Sequence, residues 1–203
     1  MSKTNLITSD VYKDILKGKT SNYIIEKYVL HNVPYFFAKD MDLYFEIKKK
    51  ISEFYSISIT NIYLVGSGQF GFSMSSEKDY RDFVWEESTE ELASDLDIAI
   101  ISNKLFDEYW DGICDYNINK VPHDSKDEKL FNEFKNYLYK GWMRPDKFPF
   151  EYEKRKAWFN FFKTLQPLVN RKVAGGIFRN EICFIKKYRA DIEELSKRIK
   201  EIK

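Results

Sequence analysis

The sequence predicts an α+β fold, a small mixed sheet flanked by helices with a mainly helical C-terminal portion, and three observations predict it. Apolar residues recur at helical spacing over much of the chain, as in Leu43, Ile47, Ile51 and Phe54, or Ile182, Ile185, Ile192, Leu195 and Ile199. The clearest apolar runs of strand length, at Ile62 to Val65 and at Ile98 to Ile101, are short and are bounded by Gly, Ser and Asp. The 203 residues, 43% of them hydrophobic, suffice for one core. With no repeat, low-complexity tract or flexible linker, one compact unit is expected over 1–203, its sheet and N-terminal helices within 1–120 and a helical part over 121–203.

Taken in order, Ser9 and Asp10 are placed to cap a first helix ending at Leu16, and residues 22–31 read as a second, stopped before Pro34. Residues 40–55 form a third helix that feeds the strand at 62–65. The strand at 95–101 precedes helices over 105–111 and 127–140, with a loop or short strand over 117–126 between them. Gly141 ends the second of these, and Trp142 and Arg144 follow in a turn that anchors the loop or lines a pocket. An aromatic-rich helix over 155–166 is expected to stop at Pro167, residues 172–178 to form a short strand or bend at Gly175 and Gly176, and residues 181–200 an amphipathic last helix.

Two segments carry chemistry. In Ser94-Asp95-Leu96-Asp97 two carboxylates open an apolar strand at i and i+2, so both project from one face. Like charges so placed repel unless a cation lies between them, and an oxygen-liganded divalent ion suits an otherwise apolar strand. Magnesium, or manganese in its place, fits because it takes carboxylates together with substrate phosphates. Upstream, Gly66-Ser67-Gly68 through Gly71 to Ser73 follows the first strand. Its glycines let backbone approach a ligand, its amides suit phosphate, and its hydroxyls can donate to phosphate oxygens. Gly66, Ser67, Gly68 and Ser73 are therefore the candidate phosphate-binding residues, and Asp95 and Asp97 the candidate metal-binding ones; the resemblance given below makes the first set nucleotide-binding and the second catalytic.

The glycines at 66, 68 and 71 also satisfy a dinucleotide-binding fingerprint, but there the acid ends its strand, whereas Asp95 and Asp97 begin theirs. A phosphate loop of the Walker type fails because Phe72 stands where its lysine belongs. A third reading makes the glycines plain turn residues and the aspartates a solvated strand start.

Gly66-Ser67 after a strand, followed by Asp95-Leu96-Asp97, resembles the nucleotidyltransferase superfamily of the DNA polymerase beta type, over roughly residues 40–102. The resemblance implies a Gly-Ser turn that holds a nucleoside triphosphate, ATP or another NTP or dNTP, and two aspartates that bind metal ions. It implies transfer of a nucleoside monophosphate to a hydroxyl on a nucleotide, a nucleic-acid end or a protein, with release of pyrophosphate. The wording of the motifs is similar to compact prokaryotic members, some of which serve toxin–antitoxin or phage-defence loci. Two departures stand out. The interval from Ser67 to Asp95 is longer than the family's, so 75–91 is expected to be an inserted loop or hairpin. The family's third carboxylate, carried on a later strand, has only Asp115, Asp146 and Glu181 as candidates here, and its lack would suit a noncatalytic module that binds nucleotide and engages a partner.

The net charge of +1 hides a division: residues 151–203 hold 14 Lys and Arg against 7 acids. Such a tail suits triphosphate, nucleic acid or an acidic partner protein. Seventeen Phe and fourteen Tyr serve mainly packing. Cys114 and Cys183 lack metal-ligand spacing, and His31 and His123 stand apart, which excludes a zinc site from the expectation. Two cysteines and no signal peptide point to the cytoplasm, and no apolar run is long enough to span a bilayer.

Overall fold

A computed structural model describes residues 4–86, 93–114, 125–150 and 153–201. The chain is α+β. Its four-stranded mixed sheet has the order β1 (Ile62–Val65), β2 (Leu96–Ile101), β4 (Val173–Phe178), β3 (Trp142–Met143). β1 is antiparallel to β2, β2 parallel to β4, and β3 antiparallel to β4.

Strand alternation divides the sheet into two faces. Ile62, Leu64, Leu96, Ile98, Ile100, Val173 and Ile177 join one buried cluster with α4 (Met41–Tyr55), α6 (Asn103–Cys114) and α8 (Glu153–Val169). Val65, Ala99 and Phe178 join the other, with α2 (Asp10–Leu16), α3 (Ser21–Ile25) and α9 (Glu181–Glu201). Asp97 lies between Leu96 and Ile98, so its side chain belongs to the α9 face.

The helix ends follow their caps. The Ser9 hydroxyl accepts from the Tyr12 N–H at 3.0 Å and starts α2, behind a short α1 (Thr4–Thr8). Asp40 caps α4 by accepting from Leu43 N–H at 2.9 Å. Five residues of π-helix, Glu26–Leu30, continue α3 to His31. α4 buries Tyr44, Ile47 and Ile51, and Tyr44 Oη accepts the Leu64 N–H at 3.0 Å, which pairs one backbone donor of the edge strand β1. Phe54, expected on the same stripe, is instead 55% exposed and stacks on Phe161 with ring centroids 4.1 Å apart.

α8 runs past Pro167 to Val169, contrary to the expected stop. A proline removes one helical N–H, and here Leu165 and Val169 on either side of it are buried in the core, which offsets that loss. The segment at 172–178 is a full strand with every residue buried. α7 (Ser125–Tyr139) spans most of the helix expected over 127–140; the loop or strand expected over 117–126 lies almost wholly outside the described residues. In α9 the buried residues are Phe184, Tyr188, Ile192, Leu195 and Ile199, while Ile182 is exposed. No helix among the described residues is long and apolar enough to cross a membrane.

Candidate functional site

The chain leaves β1 through Gly66, whose φ of +66° and ψ of −149° belong to glycine alone. One helical turn, α5 (Ser67–Phe70), follows and is closed by Gly71 at φ +80°. A β-carbon on Gly66 would stand 3.3 Å from Asp97 Oδ2, because Val65 pairs with Asp97 across β1 and β2. The antiparallel pairing also removes the dinucleotide-binding alternative, which needs β1 and β2 parallel on either side of a crossover helix.

Gly66, Ser67, Ser73 and Asp97 line a cleft of about 460 Å³ between the sheet and α9. A second chamber of about 340 Å³ adjoins it and is lined by Ser67, Ser73, Asp97 and Asp95 together. Lys78 and Arg144 line both chambers, so Asp97 sits at their junction with two cationic side chains. Gly68 is not brought to either chamber. A β-carbon there would meet Leu96 Cδ2 at 2.9 Å and Leu64 Cδ2 at 3.2 Å, so this glycine permits α5 to press on the sheet.

The two carboxylates differ in environment. Asp95 accepts from Lys172 Nζ at 2.8 Å in a largely exposed ion pair. Asp97 receives no side-chain hydrogen bond among the described residues. Burial raises its pKa above the ordinary 3.8, with Asp95 adding to the shift and Arg144 opposing it. Arg144 is held by Asp146 through Nε at 3.3 Å and Nη2 at 2.8 Å. Burial works against its charge, but Asp146 and Asp97 outweigh that and raise its pKa. Its stem crosses β4 at Gly176, where an added β-carbon would lie 3.8 Å from Arg144 Cγ.

Of the three candidates for a later carboxylate, Asp146 is engaged by Arg144 and lines neither chamber, and Glu181 opens α9 beyond the far end of β4. Asp115 lies outside the described residues. On β4 the residues paired with Asp95 and Asp97 follow from Leu96 opposite Val173: Lys172 precedes that pair and Ala174 faces Asp97. No three His, Cys, Asp or Glu side chains gather as a metal group among the described residues.

The inserted segment begins as a hairpin. Phe72 bridges Asp82, Ser73 N–H donates to Arg81 C=O at 2.8 Å, and Phe83 N–H donates to Gly71 C=O at 2.8 Å. Lys78 at its turn, Arg81 and Asp82 on its returning arm, and Ser94, which bonds Val84 beyond it, line the second chamber. Arg171 pins the base: its guanidinium lies 5.0 Å from the Phe36 ring, 5.1 Å from Phe83 and 5.7 Å from Trp85, and it donates to Ser94 C=O at 2.9 Å and Trp85 C=O at 2.6 Å. Residues 87–91 of the insert lie outside the described residues.

Sequence reasoning missed the α9 wall, which brings Lys187, Tyr188, Asp191 and Glu194 to the larger chamber. Tyr188 and Asp191 are one helical turn apart on the same side of α9, a spacing visible in the sequence but lacking any sign that this side faces Asp97. Trp142, stacked on Tyr137 at 4.2 Å and on Phe178 at 5.6 Å, also lines this chamber.

Comparison of the chain with protein-family models, with curated proteins and with solved structures finds no match in any of the three.

Proposed function

We propose that this cleft binds a magnesium–nucleoside triphosphate and transfers the nucleoside monophosphate to a hydroxyl acceptor, as the resemblance to the DNA polymerase beta-type nucleotidyltransferases implies. One observation carries the reading: Asp95 and Asp97 share a single small chamber with Lys78, Arg81, Arg144 and the Ser67 and Ser73 hydroxyls. A simple anion is repelled by the carboxylates and a simple cation by the basic side chains. A metal-bound polyphosphate satisfies both sets.

The donor set fits magnesium, with Asp95 and Asp97 as its protein ligands and phosphate oxygens and water as the rest. Bound there, the ion neutralises phosphate charge and polarises the phosphorus under attack. Lys78, Arg81 and Arg144 attract the phosphate oxygens, Ser67 donates a hydroxyl to them, and Asp146 fixes the direction of the Arg144 fork. Gly66 keeps the space beside Asp97 Oδ2 open.

A second reading, a noncatalytic nucleotide-binding module, is favoured by the absence of a carboxylate on β4 facing Asp97, where Ala174 stands. Nucleic acid is a weaker partner proposal than the tail's charge implied. Lys172 and Arg179 pair with Asp95 and Asp107 outside the tail and Arg171 is enclosed by rings, so part of the basic excess is engaged within the chain.

Purified protein, magnesium and each α-phosphate-labelled NTP or dNTP, alone and with RNA, DNA or lysate, test the two readings. A labelled product that disappears when Asp95 and Asp97 are both changed to Ala supports transfer. Nucleotide binding without any product assigns the cleft to the noncatalytic module, and no binding at all removes both.

A further inference from the structure

The larger chamber differs from its neighbour in the chemistry it offers. Lys78 and Arg144 line both chambers and Arg81 adds a cation on the Asp95 side, whereas α9 presents Tyr188, Asp191 and Glu194 with one lysine, Lys187, that Asp191 already holds. A phosphate placed against that wall would meet two carboxylates and the nearby Asp97. The wall is suited to a neutral group that carries hydroxyls.

The individual side chains narrow the class. Tyr188 is only 7% exposed, lines the chamber, and its hydroxyl has no hydrogen-bond partner among the described residues. A largely buried tyrosine that lines a cleft can have its hydroxyl completed by what the cleft binds. Burial, with Asp191 and Asp97 nearby, raises its pKa well above the ordinary 10.0, so it remains a neutral donor. Asp191 is held through Oδ2 by Lys187, which leaves Oδ1 to accept. Glu194 accepts from the Ser76 hydroxyl through Oε1 and so also ties the hairpin to α9. A vicinal pair of hydroxyls, one oxygen accepting from Tyr188 and one O–H donating to Asp191, satisfies both residues. A nucleotide whose phosphates lie beside Lys78 and Arg144 carries such a pair on its ribose.

We infer that the α9 wall reads the sugar of the bound nucleotide, with Tyr188 donating to and Asp191 accepting from the ribose hydroxyls, so that the cleft takes ribonucleotides in preference to deoxyribonucleotides. The inference rests on the nucleotide reading above.

Calorimetric titration of the full chain in magnesium with each of the four NTPs, and with the 2′-deoxy and 3′-deoxy forms of the one that binds best, tests it. The expected result is that at least one deoxy form binds about tenfold or more weakly, the scale of a lost hydrogen bond to a charged or buried partner. Tyr188→Phe and Asp191→Asn, checked for folding by thermal melts, bring that ratio toward one. Equal binding of the ribo and both deoxy forms by the unmodified protein overturns the inference while leaving the nucleotide reading intact. Discrimination that survives in both folded variants overturns its assignment to α9. Failure of every nucleotide to bind overturns the nucleotide reading and this inference with it.

Discussion

Two adjacent glycines of β4 provide a sharp test of how the sheet is packed. A β-carbon on Gly175 would stand 2.2 Å from Phe162 Cζ and 2.7 Å from Trp158 Cζ2. Both rings are almost fully buried, at 3% and 1% exposure, and have nowhere to retreat. On Gly176, one residue on and therefore on the other face, the nearest atoms would be Met143 O at 3.6 Å, Trp142 Cε3 at 3.7 Å and Arg144 Cγ at 3.8 Å, ordinary contacts. Gly175→Ala is thus an overpacking change, expected to destabilise by about 1–3 kcal/mol or more. Gly176→Ala adds no clash and reduces the freedom of the unfolded chain, which is expected to stabilise by about 0.4–1 kcal/mol. At roughly 2–4 °C per kcal/mol for a chain of this size, the two melting temperatures separate by several degrees in opposite directions from the parent. Thermal and urea melts measure this. Equal effects, or a larger loss at Gly176, would refute the assignment of α8 to one face and the cleft to the other.

Gly66→Ala forces a side chain into a glycine-only conformation and against Asp97 Oδ2, so a loss of about 1–3 kcal/mol in stability is expected, together with weakened nucleotide binding by titration. Asp97→Asn should raise the melting temperature of the ligand-free protein at neutral pH. The folded pKa of Asp97 is raised, so ionising it opposes folding; that penalty is complete above the raised value and absent below the ordinary 3.8, and the gain in the variant should vanish as melts are taken toward pH 3. A gain that persists at pH 3 would contradict this. Arg171→Met keeps bulk but removes the charge over Phe36, Phe83 and Trp85 and the donors to Ser94 and Trp85 carbonyls, and should cost about 2–3 kcal/mol. Limited proteolysis should then open the 83–94 segment first, a result that cleavage elsewhere would rule out.

The local elements were readable because each rests on a local signal. Ser9 and Asp40 cap the helices their positions predict, and the apolar run at 62–65 pairs as a strand with the one that follows Asp95. Gly66-Ser67 and Asp95-Leu96-Asp97 meet at one cleft because β1 and β2 are paired, and both halves could be read before the pairing was known. What escaped reading depends on tertiary approach. Gly68 has the sequence appearance of a ligand-facing glycine, yet two leucines occupy its space. Pro167 carries a strong local stop signal, overridden by burial of the helix end. The sequence leaves Arg144 between a loop anchor and a pocket residue, and its place beside Asp97 arises from the short β3 lying across Gly176. Nothing in the order of residues along α9 reveals that Tyr188 and Asp191 look across a cleft at a strand more than 90 positions earlier.

The ion pair between Lys172 and Asp95 bears on how the cleft fills. An exposed pair of this kind is worth only about 0–1 kcal/mol, and the ammonium rides on the residue just before β4, so it stays at hand when displaced. If the cleft takes the proposed magnesium–nucleotide, its capture is an exchange of one cation for another at Asp95, not the creation of a charged site from a neutral one. On that reading the released lysine would be free to meet a phosphate oxygen of the ligand, and Asp95 would pass from one positive partner to another without standing unpaired.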